Sequence, residues 1–247
     1  MEFLYGHWAV LECLRARRRK PDQLLLGDKI EEKGKVAEII HTAQARGIPV
    51  KRVNRRILDD LSEGSNHQST MLRVTPYPYV ELDEVFVLAK EREERPFLLL
   101  LDLLKDPQNV GALMRVADAV GVHGIIMQDR RGVSVTPSVV NASSGAVEHL
   151  QVVQVVNLVN TMKDLKKNDV WLVGLEAGPD VPALENSNLN IAVGLVMGSE
   201  GDGMRRLVRE TCDMLMSLPM RGHVASLNVA TAGAVALYAA FQARGYK

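Results

Sequence analysis

The run 97-FLLLLDLL-104 constrains the fold more than any other stretch. All but one of its residues are apolar, so a strand here has no polar face to offer water and must be covered on both sides. A parallel sheet clad by helices meets that demand, and the following sequence fits it. Helical spacing over 109–120 precedes a strand at 122–128, a helix at 137–146, a strand at 151–156 and a helix at 157–168. Strands at 170–175 and 191–197, a helix at 203–211, a strand at 214–218 and a long helix from 226 to 243 complete the series. Strands alternating with helices predict a parallel α/β sheet.

The N-terminal part reads differently. Its spacing predicts a helix at 7–17, a strand at 23–27, a helix over 32–47 stopped by Gly47, a strand at 48–53 and a helix at 54–62 capped by Asn54. Pro76 and Pro78 with the charged sequence after them suggest a connector. The expected organisation is a small domain over 1–75, a linker over 76–96 and a larger domain over 97–247.

Composition narrows the function classes. At 47% hydrophobic and 24% charged, the 247 residues can bury an ordinary core. No apolar run approaches the roughly eighteen residues that span a bilayer, so no membrane partner is expected. The N-terminus lacks a signal-peptide pattern. Only Cys13 and Cys212 occur, far apart, which argues against a disulfide framework and for a reducing, cytoplasmic setting. His41, His123, His149 and His223 show no ligand spacing, so no metal site is expected. Net charge is zero, yet residues 1–75 hold 14 Lys and Arg against 10 Asp and Glu. Arg17, Arg18 and Arg19 in 15-RARRRK-20, and Lys51, Arg52, Arg55 and Arg56 in 51-KRVNRR-56, can grip a phosphate backbone or simply be solvated surface.

Chemistry is most legible in 195-LVMGSEGDGMRR-206, where Gly198, Gly201 and Gly203 follow a strand. A P-loop needs a lysine directly after its glycines, and none stands there. A dinucleotide fingerprint has the opposite glycine order. Glu200 within the loop would repel a phosphate. The loop therefore suits an uncharged or cationic ligand, of which S-adenosylmethionine is one. Elsewhere, Asn109 and Arg115 mark the helix after the first buried strand, and Ser226 and Asn228 stand just before the last helix. Asn109, Ser226 and Asn228 are each alone compatible with a helix cap, with Arg115 inside its helix.

Together, DPQNVGALMRVADAVGV, VMGSEGDGM and LPMRGHVASLNVATAGA resemble the three motifs of the SpoU/TrmH family of RNA 2′-O-ribose methyltransferases, within the SPOUT superfamily. The resemblance covers residues 97–243, and 141-NASSGAVEHL-150 is similar to the family's loop between the first two motifs. Residues 6–75 resemble the small L30e-like substrate-binding domain of some members, a layout similar to the bacterial 23S rRNA guanosine-2′-O-methyltransferase branch. Two departures stand out: His67, Gln68, Ser69 where the family often has HQG, and Ala230 where it has Ser.

The resemblance implies a SPOUT-type parallel sheet with a C-terminal trefoil knot, a homodimer, and no metal. It implies S-adenosylmethionine held by Gly198, Gly201, Leu218, Met220 and Leu227. Arg115 is expected beside the ribose 2′-hydroxyl, stabilising alkoxide and positioning phosphate. Asn109 would orient that arginine or the ribose and Glu200 would pair with or orient the arginine, while Ser226 and Asn228 would order the loop and place substrate. The implied target is a guanosine of large-subunit rRNA. A tRNA substrate, or a non-catalytic RNA-binding assembly factor of the same fold, are the alternatives.

Overall fold

The structure is a computed structural model that describes residues 1–178, 181–183, 188–224 and 226–246. Ala225, inside the third motif, lies outside the described residues. The chain divides into two units, Met1–Pro78 with Val135–His149, and Tyr79–Ser134 with Leu150–Lys247.

In chain order, the elements begin with β1 (Glu2–Tyr5), α1 (His7–Ala16), β2 (Pro21–Gly27), α2 (Lys35–Ala45), β3 (Val50–Val53), α3 (Arg55–Leu61) and β4 (Thr70–Val74). Next come α4 (Leu82–Glu91), β5 (Phe97–Leu101), α5 (Pro107–Ala119), β6 (Gly124–Gln128), α6 (Pro137–Ala142) and β7 (Val152–Val155). The last are α7 (Leu158–Lys167), β8 (Trp171–Leu175), β9 (Val193–Met197), α8 (Arg206–Thr211), β10 (Met214–Met216) and α9 (Val229–Ala243).

The first unit is built on a four-stranded sheet in the order β1-β4-β2-β3. Its β2–β3 pair is parallel and the other pairs antiparallel. The segment 135–149, which carries α6 and a 3-10 turn at Ala146–His149, belongs to this unit although it leaves the chain between β6 and β7. Two close contacts seat it. Asn141 Nδ2 donates to the Tyr5 carbonyl at 2.9 Å. Gly145, at φ +84°, lies so near α1 that a Cβ would stand 2.6 Å from the Cβ of Glu12. The same unit contains a departure from the family pattern. Ser69 adopts φ +57°, a left-handed conformation in which glycine is the natural residue.

The second unit has a six-stranded, wholly parallel sheet in the order β10-β8-β9-β5-β6-β7. All five residues of β5 are buried, as the apolar run demands. Leu98 and Leu100 face a core shared with α4, α7 and α8 through Val85, Leu158, Met162, Leu165 and Val208. On the other face α5 packs closely against α9 at Gly233: a Cβ there would lie 2.3 Å from Leu113 Cδ2 and 2.5 Å from Met197 Cε. The stretch read as a connector contains α4, whose Val85 is fully buried and fits over Gly124 of β6. Strand order reverses beside β5: β6 and β7 extend to one side, while β9, β8 and β10 lie on the other.

Candidate active site

The carboxyl ends of strands flanking such a reversal form a natural crevice for ligands, and the glycine loop sits there. Gly198 follows β9 directly. A Cβ on it would fall 2.2 Å from both the Gly203 carbonyl carbon and the Met204 nitrogen, so no other residue fits without moving backbone. Gly201 and Gly203 take φ +83° and +68°. Ser199 and Gly203 exchange backbone hydrogen bonds at 3.0 Å in each direction, closing the turn. Arg205 pins its far end: its backbone N–H donates to Asp102 Oδ2 at 2.8 Å and its Nε to Asp102 Oδ1 at 2.7 Å. Asp102 is buried at the end of β5, and Arg205 also donates to Gln128 Oε1 at 2.7 Å. This clamp joins residues 103 positions apart, and no local pattern reveals it.

Two helix N-termini converge on the loop's carboxylate. Asp106 caps α5 by accepting from Gln108 N at 3.0 Å, and accepts from Asn109 Nδ2 at 2.9 Å. Asn228 caps α9 by accepting from Ala230 N at 2.9 Å and Thr231 N at 3.2 Å. That leaves the Asn228 amide to donate to Asn109 Oδ1 at 3.0 Å and to Glu200 Oε1 at 2.9 Å. Asn109 also donates to Glu200 Oε1. Glu200 is thus an anion held by two amides where two helices start, a favourable place for negative charge. The Ala230 departure costs this network nothing, because only its backbone is used.

A cavity of about 690 Å³ opens against the loop. Its lining includes Gly198, Gly201, Leu218, Met220 and Leu227, all five expected cofactor contacts, together with Glu200, Ser226 and Asn228. Glu176 and Arg209, not anticipated from sequence, also line it and pair with each other at 2.7 Å. A second cavity of about 210 Å³ shares Ser199, Glu200, Asp202 and Val229 with the first and adds Asn109 and Asp106. Arg115 is in neither lining; it sits six residues past Asn109 on the exposed face of α5. Among the described residues, no group of three or more His, Cys, Asp or Glu is arranged to hold a metal, and no helix is long and apolar enough to cross a membrane.

The basic residues of the first unit divide. Arg19 does not serve as a phosphate contact: its side chain is fully buried, paired with Glu148 and with Glu2, each at 2.8 Å. Burial pushes the Glu148 carboxyl above its usual range, partly offset by Arg19. Arg18 is turned inward, donating to Tyr77 Oη at 3.0 Å and the Pro78 carbonyl at 3.1 Å. Arg52 donates to the Asp28 and Ile30 carbonyls at 3.2 and 3.3 Å and pairs with Glu32. Arg17, Lys51, Arg55 and Arg56 are exposed.

The profile of the SpoU rRNA Methylase family matches residues 96–238, and that of RNA 2′-O ribose methyltransferase substrate binding matches residues 3–80. The 23S rRNA (guanosine-2′-O-)-methyltransferase RlmB of Salmonella typhi is 38% identical over 247 residues, covering 98% of this chain and 99% of its own. YacO of Bacillus subtilis, whose name places it in the TrmH family, is 40% identical over 98% of this chain and 96% of its own. The SpoU methyltransferase AviRb of Streptomyces viridochromogenes, solved with AdoMet, superposes with a TM-score of 0.79 at 24% identity, covering 99% of this chain and 91% of its own.

Proposed function

The chain belongs to the SpoU rRNA methylase family, and from that premise we propose that it is an S-adenosylmethionine-dependent RNA 2′-O-ribose methyltransferase acting on a guanosine of large-subunit rRNA. The observation that carries this reading is the Asn109–Glu200–Asn228 network set beside a glycine-walled cavity.

The cavity fits the cofactor. Its backbone wall at Gly198 admits close approach, and the carboxylates of Glu200 and Glu176 favour a cation over a phosphate. Its one arginine, Arg209, is already paired with Glu176. Gly198, Gly201, Leu218, Met220 and Leu227 hold the cofactor, which when bound supplies an electrophilic methyl group on a sulfonium.

The chain's own task is to present an alcohol, a weak nucleophile near neutral pH. Arg115 steadies negative charge on the 2′-oxygen and positions the adjoining phosphate, since a guanidinium stays protonated and is a poor base. Glu200, fixed by Asn109 and Asn228, orients the ribose, and Ser226 places the substrate. Holding two reactants in register supplies much of the rate.

Arg115 is exposed and lines neither of the two cavities described above, which supports a homodimer in which a second copy completes the site. The half-exposed Val235 and Tyr238 of α9 are the contact we assign to it. We also assign the C-terminal segment a trefoil knot and the first unit an L30e-like fold that grips RNA with Arg17, Lys51, Arg55 and Arg56. Two free thiols suit a cytoplasmic setting.

Transfer of labelled methyl from S-adenosylmethionine to unmodified large-subunit rRNA and to tRNA tests the reading, with Arg115→Ala alongside. Label on rRNA, at one alkali-resistant linkage and lowered at least a hundredfold in the variant, is expected. Label confined to tRNA would correct the substrate. None on either, with cofactor still bound, would leave a non-catalytic RNA-binding factor.

A further inference from the structure

The smaller cavity has no part in cofactor binding as described above, yet it occupies the crevice where strand order reverses. Leu103 and Leu104 follow β5 on one side of it, and Ser199 and Glu200 follow β9 on the other. At about 210 Å³ it has less than a third of the volume of its neighbour, room for one nucleoside rather than a second cofactor. We propose that this cavity is a guanine-reading pocket and that Asp202 recognises the base. The inference rests on the methyltransferase reading and adds to it the residue that selects the nucleotide.

Leu103, Leu104 and Val229 give the cavity apolar walls of the kind that cover the faces of a flat ring. Its polar groups are mostly spent on one another. The Asn109 amide uses its oxygen on Asn228 and its nitrogen on Asp106 and Glu200. Both Asp106 oxygens already accept, from Gln108 N and Asn109 Nδ2. Among the cavity's carboxylates, Asp202 is the exception. It stands at the tip of the turn between Gly201 and Gly203, lines both cavities, and among the described residues has no hydrogen bond or ion pair.

An ionised carboxylate only accepts hydrogen bonds. It therefore pairs best with a base edge that offers two adjacent N–H donors. Guanine has such an edge in N1–H and the N2 amino group. Adenine and cytosine each set one amino group beside a ring acceptor, and uracil sets one N–H between two carbonyls. Asp202 thus attracts guanine through two bonds and meets acceptor lone pairs on the other three. Single-stranded RNA presents this Watson–Crick edge to proteins. Lys105, exposed at the same cavity, supplies a cation for the phosphate of the nucleotide whose base is held.

Inosine keeps N1–H and lacks the amino group, so it probes one of the two bonds without altering the protein. The experiment uses a large-subunit rRNA fragment containing the nucleotide methylated by the wild type, and the same fragment with inosine there. Both are assayed with wild-type enzyme and with Asp202→Asn, and cofactor Kd is measured by calorimetry. Wild type should prefer guanosine by on the order of tenfold or more in kcat/KM. In Asp202→Asn the ratio should collapse toward one while the cofactor Kd stays within about twofold. A wild-type enzyme that treats the two RNAs alike, or a variant that keeps the preference, overturns the pocket alone. So does a variant whose loss of methylation is matched by weaker cofactor binding, which would give Asp202 to the cofactor. Absence of transfer to any RNA by the wild type overturns the methyltransferase reading as well.

Discussion

Asn228 performs two tasks with one amide, and substitution can part them. Its oxygen caps α9 and its nitrogen helps hold Glu200. Asn228→Ala removes both, so a stability loss of about 1 kcal/mol is expected with a large fall in kcat. Asn228→Asp keeps the cap but sets a carboxylate against Glu200. Denaturant melts should then show stability close to wild type, while methyl transfer drops at least tenfold; equal activity of Asp and Asn enzymes would refute the role. Glu148 offers a pH test. Its folded carboxyl titrates above the ordinary value, so over that interval the folded state keeps a proton that the unfolded state has released. Stability therefore falls as pH rises from the ordinary carboxyl value to the raised one, and is level above it. Glu148→Gln should remove that slope from urea-unfolding free energies measured at stepped pH. The Glu148 pairing was not legible beforehand: 15-RARRRK-20 looks like solvated charge, and only tertiary structure reveals that Arg19 is buried against Glu148 and Glu2.

At the scale of elements, the turn between β9 and α8 is the part most fixed by steric necessity. Gly198→Ala would drive a methyl group into the backbone of Gly203 and Met204. A cofactor Kd raised at least tenfold is expected by calorimetry, with secondary structure by circular dichroism unchanged; unaltered binding would mean that the loop gives way freely. The sequence foretold this loop and the parallel strands well, because glycine order and an apolar run are local signals. It missed β1, β4 and α4. Four or five residues carry little periodicity in the two strands. In α4 the prolines before it mask a sound start, where the Glu84 side chain accepts from the backbone N–H of Glu81 at 3.0 Å. The clamp of Asp102 on Arg205 escaped for a different reason. Its partners come together only when β5 and β9 pair, so neither residue announces the other. Glu200, Asn109 and Asn228 were legible through the motif resemblance, whereas their mutual bonds were not.

At the scale of the molecule, the first unit is not a continuous stretch. Residues 135–149 complete it, bringing Glu148 to Arg19, Asn141 to the end of β1, and the Val147 carbonyl to Tyr77 Oη at 3.0 Å. A fragment of residues 1–78 would leave Arg19 without the more buried of its two carboxylates, a loss on the order of 3–5 kcal/mol. We expect that fragment to give a poorly dispersed NMR spectrum, and the same fragment with 135–149 fused through a flexible linker to give a dispersed one; equal spectra would refute the dependence. Conversely, residues 79–247 with 135–149 replaced by a Gly-Ser linker should keep cofactor binding and lose RNA methylation. The insertion also sets a timetable for synthesis. As the chain leaves the ribosome, four strands of the first sheet are available early, but the unit cannot close until residue 149 has emerged. By then β5 and β6 of the second sheet are already out, so the chain must begin its second folding task before it can finish the first.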